Sequence, residues 1–463
     1  RYRPPCTATA RAGGNASRCG GRCCRPRGRP PGSGRDRDPR PVRRDSAAPC
    51  PLRDVFRPDR SILPGAGGLG LALFSGAIMP DRPRPPLLLV LALLALPQVA
   101  ETILSPALPA LASHWRLDDA TSQWTMALFF VGFAPGIWLW GWLADRLGRR
   151  PALLGGLGLA ALATFGAWAS TDYSYLLACR LVQGLGLATC SVTVQASLRD
   201  VLQGPALMSY FVTLGAVLAW SPAVGPLGGQ WLADLGGHPA VFATLAVLLA
   251  SLAALVVPAW PETRPLLAGT PEPATLAIFR RVLADRPLQT RALLVAVLNV
   301  LVFSFYAAGP FMVGDLPGLG FGWIGLAIAI AGSLGALLNR RLPRTWNSAR
   351  RVRLGLALAA AGATAQTLLA AVGYAEGLYW ALPALPIFIG FGVAIPNLLG
   401  PALHAYDDCR GRAGALFGLA YYLLIGLGLG ASTLLPFDRP WPLAAYWSLL
   451  GLVALLLARR LPE

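Results

Sequence analysis

The chain contains no lysine: all 40 basic residues among its 463 are arginines, set against 22 acids for a formal net charge of +18. That excess invites a nucleic-acid reading, but its distribution argues against one. Exclusive use of arginine fits a high-GC coding sequence better than a selected binding surface, and residues 1–79 alone carry 16 arginines and a net charge of +11. Charge is scarce overall, at 13% of residues against about 25% in soluble proteins. With 55% hydrophobic residues and a positive mean hydropathy, this is the composition of a polytopic membrane protein whose surroundings are a lipid bilayer. Histidine is nearly missing, with three residues, and five of the eight cysteines fall in the first fifty positions. Cys19, Cys23 and Cys24 lack a spaced second pair or a histidine, and Cys179, Cys190 and Cys409 are isolated, so no metal site is expected. No hydrolase triad and no phosphate-binding loop occur, which argues against an enzyme, an ATP-driven pump or a bound cofactor.

The first methionine is Met79. Residues 1–78 are rich in Arg, Pro and Gly without hydrophobic periodicity, cannot bury a core, and are expected to be a disordered basic prefix. We read them as translated upstream sequence, with a genuine basic tail or a thirteenth membrane segment as the alternatives. The apolar stretch 61–78 is Gly-rich and has no recognisable cleavage site, which argues against a signal peptide.

From Met79 the apolar runs predict twelve spans, near 87–112, 122–144, 151–170, 173–196, 205–233, 239–258, 291–313, 320–338, 352–373, 378–402, 413–435 and 441–458. Runs of about 20 residues cross about 30 Å of hydrocarbon at about 1.5 Å per residue. Six spans form an N-terminal bundle in 79–258 and six a C-terminal bundle in 291–463, joined by a polar cytoplasmic loop, 259–290. The intervals on the side of the head, central loop and tail hold 21 arginines; the other side has only Arg116 and Arg439 against seven acids. Positive intervals stay in the cytoplasm, which places both termini there.

Between the second and third runs lies Gly141-Trp142-Leu143-Ala144-Asp145-Arg146-Leu147-Gly148-Arg149-Arg150. Ten residues with one Asp and three Arg mark a point where the chain leaves the bilayer and re-enters it. Their pattern resembles the signature loop between helices 2 and 3 of the major facilitator superfamily of transporters. The residues of this gate motif are Gly141, Asp145, Arg146, Gly148, Arg149 and Arg150. A worn second copy, Gly335-Ala336-Leu337-Leu338-Asn339-Arg340-Arg341, stands where a parallel six-helix repeat would put it. The resemblance implies an all-α fold of two pseudo-symmetric six-helix bundles with a substrate path between them. Asn339 in place of Asp145 points to a lost charge network in the second copy. In the first, Asp145 is expected to pair with Arg149, Arg150 or a helix end and to act as a gate.

Two charges are predicted inside spans. Glu101 precedes Ser105-Pro106-Ala107-Leu108-Pro109, and Arg180 opens Arg180-Leu181-Val182-Gln183-Gly184-Leu185-Gly186. Intramembrane charges are expensive and by default functional. Counted from the nearer span ends, Glu101 lies about 16 Å deep and Arg180 about 10 Å, within an arginine's reach directly or through water. Span 5 carries Pro222, Gly225, Pro226, Gly228 and Gly229, small and kinking residues that allow close helix approach. Together these stretches resemble the bicyclomycin/chloramphenicol-resistance (Bcr/CflA) drug–proton antiporters. Glu101 stands about one residue from that family's usual acid, and the span-5 motif has one residue fewer before its paired glycines. Pro261-Glu262-Thr263 resembles the superfamily's ending of helix 6 and adds to recognition alone.

The resemblance implies proton coupling through Glu101 and Arg180, and monomeric multidrug efflux across a bacterial inner membrane driven by the proton gradient. An uptake permease of the same fold and a non-transporting membrane sensor or scaffold stay open. Phe130, Asn299, Phe303 and Tyr306 are candidates for the substrate cavity, with Phe129, Trp138 and Tyr421 as further aromatic candidates.

Overall fold

The computed structural model describes residues 84–202, 204, 207, 210, 220–264, 275–314, 320–406, 409–436 and 439–461. The expectations for residues 1–78 and for the start of span 5, 205–219, lie largely outside these. Among the described residues all regular structure is helical. Hydrocarbon offers backbone groups no hydrogen-bond partners, so each apolar run closes its bonds within itself.

Eleven helical stretches are long and apolar enough to cross a membrane. Ten are single spans: span 1 (Leu87–Trp115), span 2 (Asp119–Leu147), span 3 (Arg149–Trp168), span 4 (Tyr173–Val201), span 7 (Arg286–Val313), span 8 (Phe321–Arg341), span 9 (Ser348–Ala371), span 10 (Leu378–Leu399), span 11 (Arg410–Ser432) and span 12 (Pro440–Ala458). The eleventh, Ser221–Ala259, is two helices: its backbone leaves helical geometry at Gly236 and Gly237, where φ reaches 65° at the second glycine. Spans 5 and 6 meet at that break, which makes twelve spans among the described residues. The chain is a multi-pass membrane protein.

Several boundaries follow from side-chain caps. Asp118, Asp172, Asp285 and Asn347 accept from the backbone N–H groups of Thr121, Tyr175, Leu288 and Arg350 at 2.9–3.0 Å. Each satisfies a donor that a helix start leaves open. Asp285 moves the beginning of span 7 to Arg286, five residues before the expected Arg291. The expected central loop also holds a helix, Thr275–Ala284. Its apolar positions Ile278 and Val282, four apart, are buried with Tyr406, Ala413 and Phe417. Arginines on either side conceal that short period in the sequence.

The two halves repeat one packing scheme. Span 4 packs on spans 2 and 3, and span 10 packs on spans 8 and 9. At the 3–4 crossing Gly156 lies against Gly186; at the matching 9–10 crossing Gly355 lies against Gly390. A Cβ at any of these four would collide with the facing backbone or side chain. Between the halves, span 2 runs along span 11, span 5 along span 8, and span 1 touches span 7. The Ser105 hydroxyl donates across that last seam to the carbonyl of Tyr306.

Because overpacking a tight site costs about 1–3 kcal/mol, Gly390→Leu should lower the thermal midpoint of detergent-solubilised protein by several degrees. Gly411→Ala, where nothing lies within 4 Å of the added carbon, should leave it unchanged. A thermal-shift measurement on both variants checks the comparison.

Candidate functional site

Pro97 lies within the first helix of span 1, and the helix ends at Thr102, before a short turn over Ser105–Ala107. Glu101 is therefore held one residue from a helix end midway along span 1, with only 5% of its surface exposed. What it borders is a cavity of about 380 Å³ enclosed by spans 1, 2, 4, 7, 8, 10 and 11. Phe130, Asn299, Phe303 and Tyr306 all line this cavity. Phe130 and Phe303 meet across the two halves with ring centres 4.6 Å apart. Among the lining residues Glu101 is the sole ionisable carboxylate, and none is basic.

Sequence reasoning missed Gln98, Phe388, Phe391 and Tyr422 on the same wall. Gln98 is one turn from Glu101, and that spacing was the available signal. Conversely, Trp138 is 42% exposed and stacks on Trp142. Phe129 lies beneath Arg180, and Tyr421 packs on Phe417 and Tyr422. None of these three borders the cavity.

The cavity leans toward one end. Its lining reaches Ala336 in span 8 and Pro396 in span 10, both in the last turns before the arginine-rich end. At the opposite end the halves close: Gly430 lies under Trp124, Gly426 against Val131, and Gly320 and Gly322 against Gln230.

Arg180 is completely buried inside the first bundle. Its Nε donates to the carbonyl of Thr125 at 3.0 Å, its Nη1 to Gln183, and its guanidinium covers the Phe129 ring at 4.8 Å. Gln183 in turn donates to Thr164 Oγ1 at 2.6 Å, which binds the carbonyl of Ala160. This chain across spans 2, 4 and 3 fixes the arginine's rotamer. Arg180 Nη2 has no hydrogen-bond partner. The direct Glu101–Arg180 bridge allowed by their depths is not formed: no ion pair within 4.0 Å joins them, although each lies within range of the other's charge. The network around span 4 holds the guanidinium against Thr125 and Gln183 instead.

In span 5, Gly225 and Gly229 pack onto Thr102 and Ile103, so closely that a Cβ at either would collide. Pro226 presses on Gly322 and Gly325 of span 8. Gly228 faces open space, and the side chain of Pro222 lies outside the described residues. Span 5 thus ties the end of the Glu101 helix to the second half.

At the gate motif Arg149 is the hub. It binds Asp145 at 2.6 Å and Asp200 at 2.9 Å. Asp145 is 55% exposed while Asp200 is 13% exposed, so screening weakens the first pair more. Glu262, expected to add to recognition alone, lies at the start of span 3. Its carboxylate accepts from the backbone N–H groups of Arg149, Arg150 and Arg264 at 2.9–3.0 Å, closing the positive end of span 3. Burial opposes its charge, but these donors, with the backbone N–H of Thr263, outweigh burial and hold its carboxyl below the usual carboxylate range. The contact is therefore present at neutral pH and is lost only as pH falls through that lowered value.

Gly148 makes room for that carboxylate. Its φ of +109° disfavours any side chain, and a Cβ would meet Glu262 Oε2 at 2.6 Å. Arg146 covers the Trp142 ring at 4.2 Å, Arg150 donates to Val257, and a Cβ added at Gly141 would meet Val192 at 3.4 Å. In the second half Asn339 accepts from Asn397 at 2.8 Å, a neutral bond where the first half has ions.

Known proteins share both sequence and architecture with this chain. A chloramphenicol resistance protein of Pseudomonas aeruginosa is 30% identical over 355 residues, covering 76% of this chain and 84% of its own. Multidrug resistance protein D of Escherichia coli is 25% identical over 377 residues, covering 80% and 94%. An uncharacterised transporter of Rickettsia bellii is 27% identical over 352 residues, covering 73% and 87%. Among solved structures the POT family transporter PepTSo superposes with a TM-score of 0.68, and a D-xylose–proton symporter with 0.65. Each covers 81% of this chain and 97% of its own at 13% identity, a likeness of fold. The family model of the Major Facilitator Superfamily matches residues 98–431, from the turn before Glu101 to the last residues of span 11. The chain belongs to the Major Facilitator Superfamily.

Proposed function

We propose that the protein exports small amphipathic drugs across a bacterial inner membrane in exchange for protons, by alternating access. The observation that carries this reading is the placement of Glu101, a buried carboxylate on the wall of a cavity shared by both halves and otherwise rich in aromatic rings. A charge in mid-bilayer costs about 2.5–3.5 kcal/mol on insertion scales. Protonating an ordinary glutamate at pH 7 costs about 4 kcal/mol. The two are of similar size, so modest changes in hydration or in distance to Arg180 decide which form is present.

The cycle then follows from the seam. With the arginine-rich end cytoplasmic, the present state is closed outward and its cavity leans inward. An amphipathic compound enters among Phe130, Phe303 and Tyr306, and Glu101 releases its proton inward. Opening of the outer seam admits a proton from outside and lets the compound leave. Arg180, fixed by Gln183 and Thr125, supplies a standing positive charge that makes the deprotonated form tolerable. No cofactor enters the cycle; its driving force is the proton gradient. The drug-resistance names of the relatives support the export direction, and a cavity complete within one chain supports action as a monomer.

Dye or antibiotic efflux from cells expressing the chain should stop when a protonophore is added. Glu101→Gln should abolish proton-driven efflux while the protein stays in the membrane; wild-type efflux by that variant would remove Glu101 from the coupling role. The gate network makes a graded prediction for turnover in the same assay. Asp145→Asn should slow it modestly, Asp200→Asn more, and Arg149→Ala, which removes both pairs, most of all. Equal rates for all three would sink the assignment of Arg149 as the hub.

A further inference from the structure

The helix Thr275–Ala284 presents two different apolar stripes. Ile278 and Val282 form the first and are buried against Tyr406, Ala413 and Phe417 at the start of span 11. Leu276, Phe279 and Leu283, spaced by three and four residues, form the second and are 60%, 43% and 55% exposed. Arg280, next to Phe279 in the helix, and Arg286, the first residue of span 7, are both exposed. The buried stripe, together with Arg281 stacked on the Tyr406 ring at 4.5 Å and bonded to the carbonyl of Ala405, fixes the direction in which the second stripe faces.

We propose that this helix is an interfacial anchor. Leu276, Phe279 and Leu283 enter the acyl boundary of the bilayer, and Arg280 and Arg286 bind the phosphates of anionic phospholipids. Position argues for lipid over a protein partner: Ala284 is followed by one capping residue, Asp285, and then by the first residue of span 7. The exposed stripe therefore stands where a spanning helix enters the bilayer. A helix with apolar residues on one face and arginines at its border lies about 5–10 Å into the headgroup region. The charge is complementary as well, since juxtamembrane arginines are drawn to anionic headgroups and repelled by none.

A nitroxide placed at Phe279→Cys, and separately at Leu283→Cys, in the full chain lacking other cysteines reads the depth of this face. The protein is reconstituted in vesicles of phosphatidylcholine alone, and of phosphatidylcholine with an equal part of phosphatidylglycerol. In the mixed vesicles both labels should be more accessible to oxygen than to a water-soluble nickel chelate. Adding Arg280→Glu and Arg286→Glu should lower that ratio several-fold in the mixed vesicles. Labels open to the nickel chelate in the mixed vesicles would overturn the anchor, as would labels sheltered from both reagents, the signature of a covering protein. A depth unaffected by vesicle composition and by the arginine changes would overturn headgroup binding. Both label positions are exposed, so poor folding at one leaves the other to decide.

Discussion

A guanidinium locked inside an apolar bundle is the constraint on which the first half depends. Arg180 is fully buried, and hydrocarbon supplies nothing to solvate it. Thr125, Gln183 and the face of Phe129 do so instead, with Thr164 holding Gln183, and supplying them draws spans 2, 3 and 4 into one unit. The same lock keeps Arg180 from closing directly on Glu101. A fixed positive charge near an acid, without contact, leaves that acid free to change its proton. A direct bridge would tend to hold it in one form.

Glu101 links this unit to the rest of the molecule through its neighbours. Gly225 and Gly229 press on Thr102 and Ile103, while Pro226 on the same span meets Gly322 and Gly325 in the other half. One span thus joins the 5–8 seam to the helix end that carries the carboxylate. The small residues of span 5 matter here as a mechanical coupling more than as flexible points.

Much of this was legible in the sequence because charges and glycines are informative in a membrane. Glu101 and Arg180 were found as charges inside apolar runs, and the span pattern from the lengths of those runs. What was hidden was azimuth. Phe129 and Phe130 are adjacent in sequence, yet one supports Arg180 and the other lines the cavity, because a helix turns 100° between them. Trp138 and Tyr421 were indistinguishable from cavity residues for the same reason. The helix Thr275–Ala284 was missed because a ten-residue amphipathic segment has too short an apolar run to register as a span. The contacts of Glu262 were hidden for another reason: two of its backbone partners, Arg149 and Arg150, are more than a hundred residues away, at the start of span 3.

The arginine-rich edges of the two halves are fastened by different chemistry. Around Gly148 the first half uses carboxylates and guanidinium groups, and around Asn339 the second uses a bond between two neutral amides. Dissolved salt weakens the former and barely touches the latter. The repeated bundles are thus alike in shape and unlike as latches: ionic strength at that edge can loosen one jaw of the transporter while the other keeps its grip.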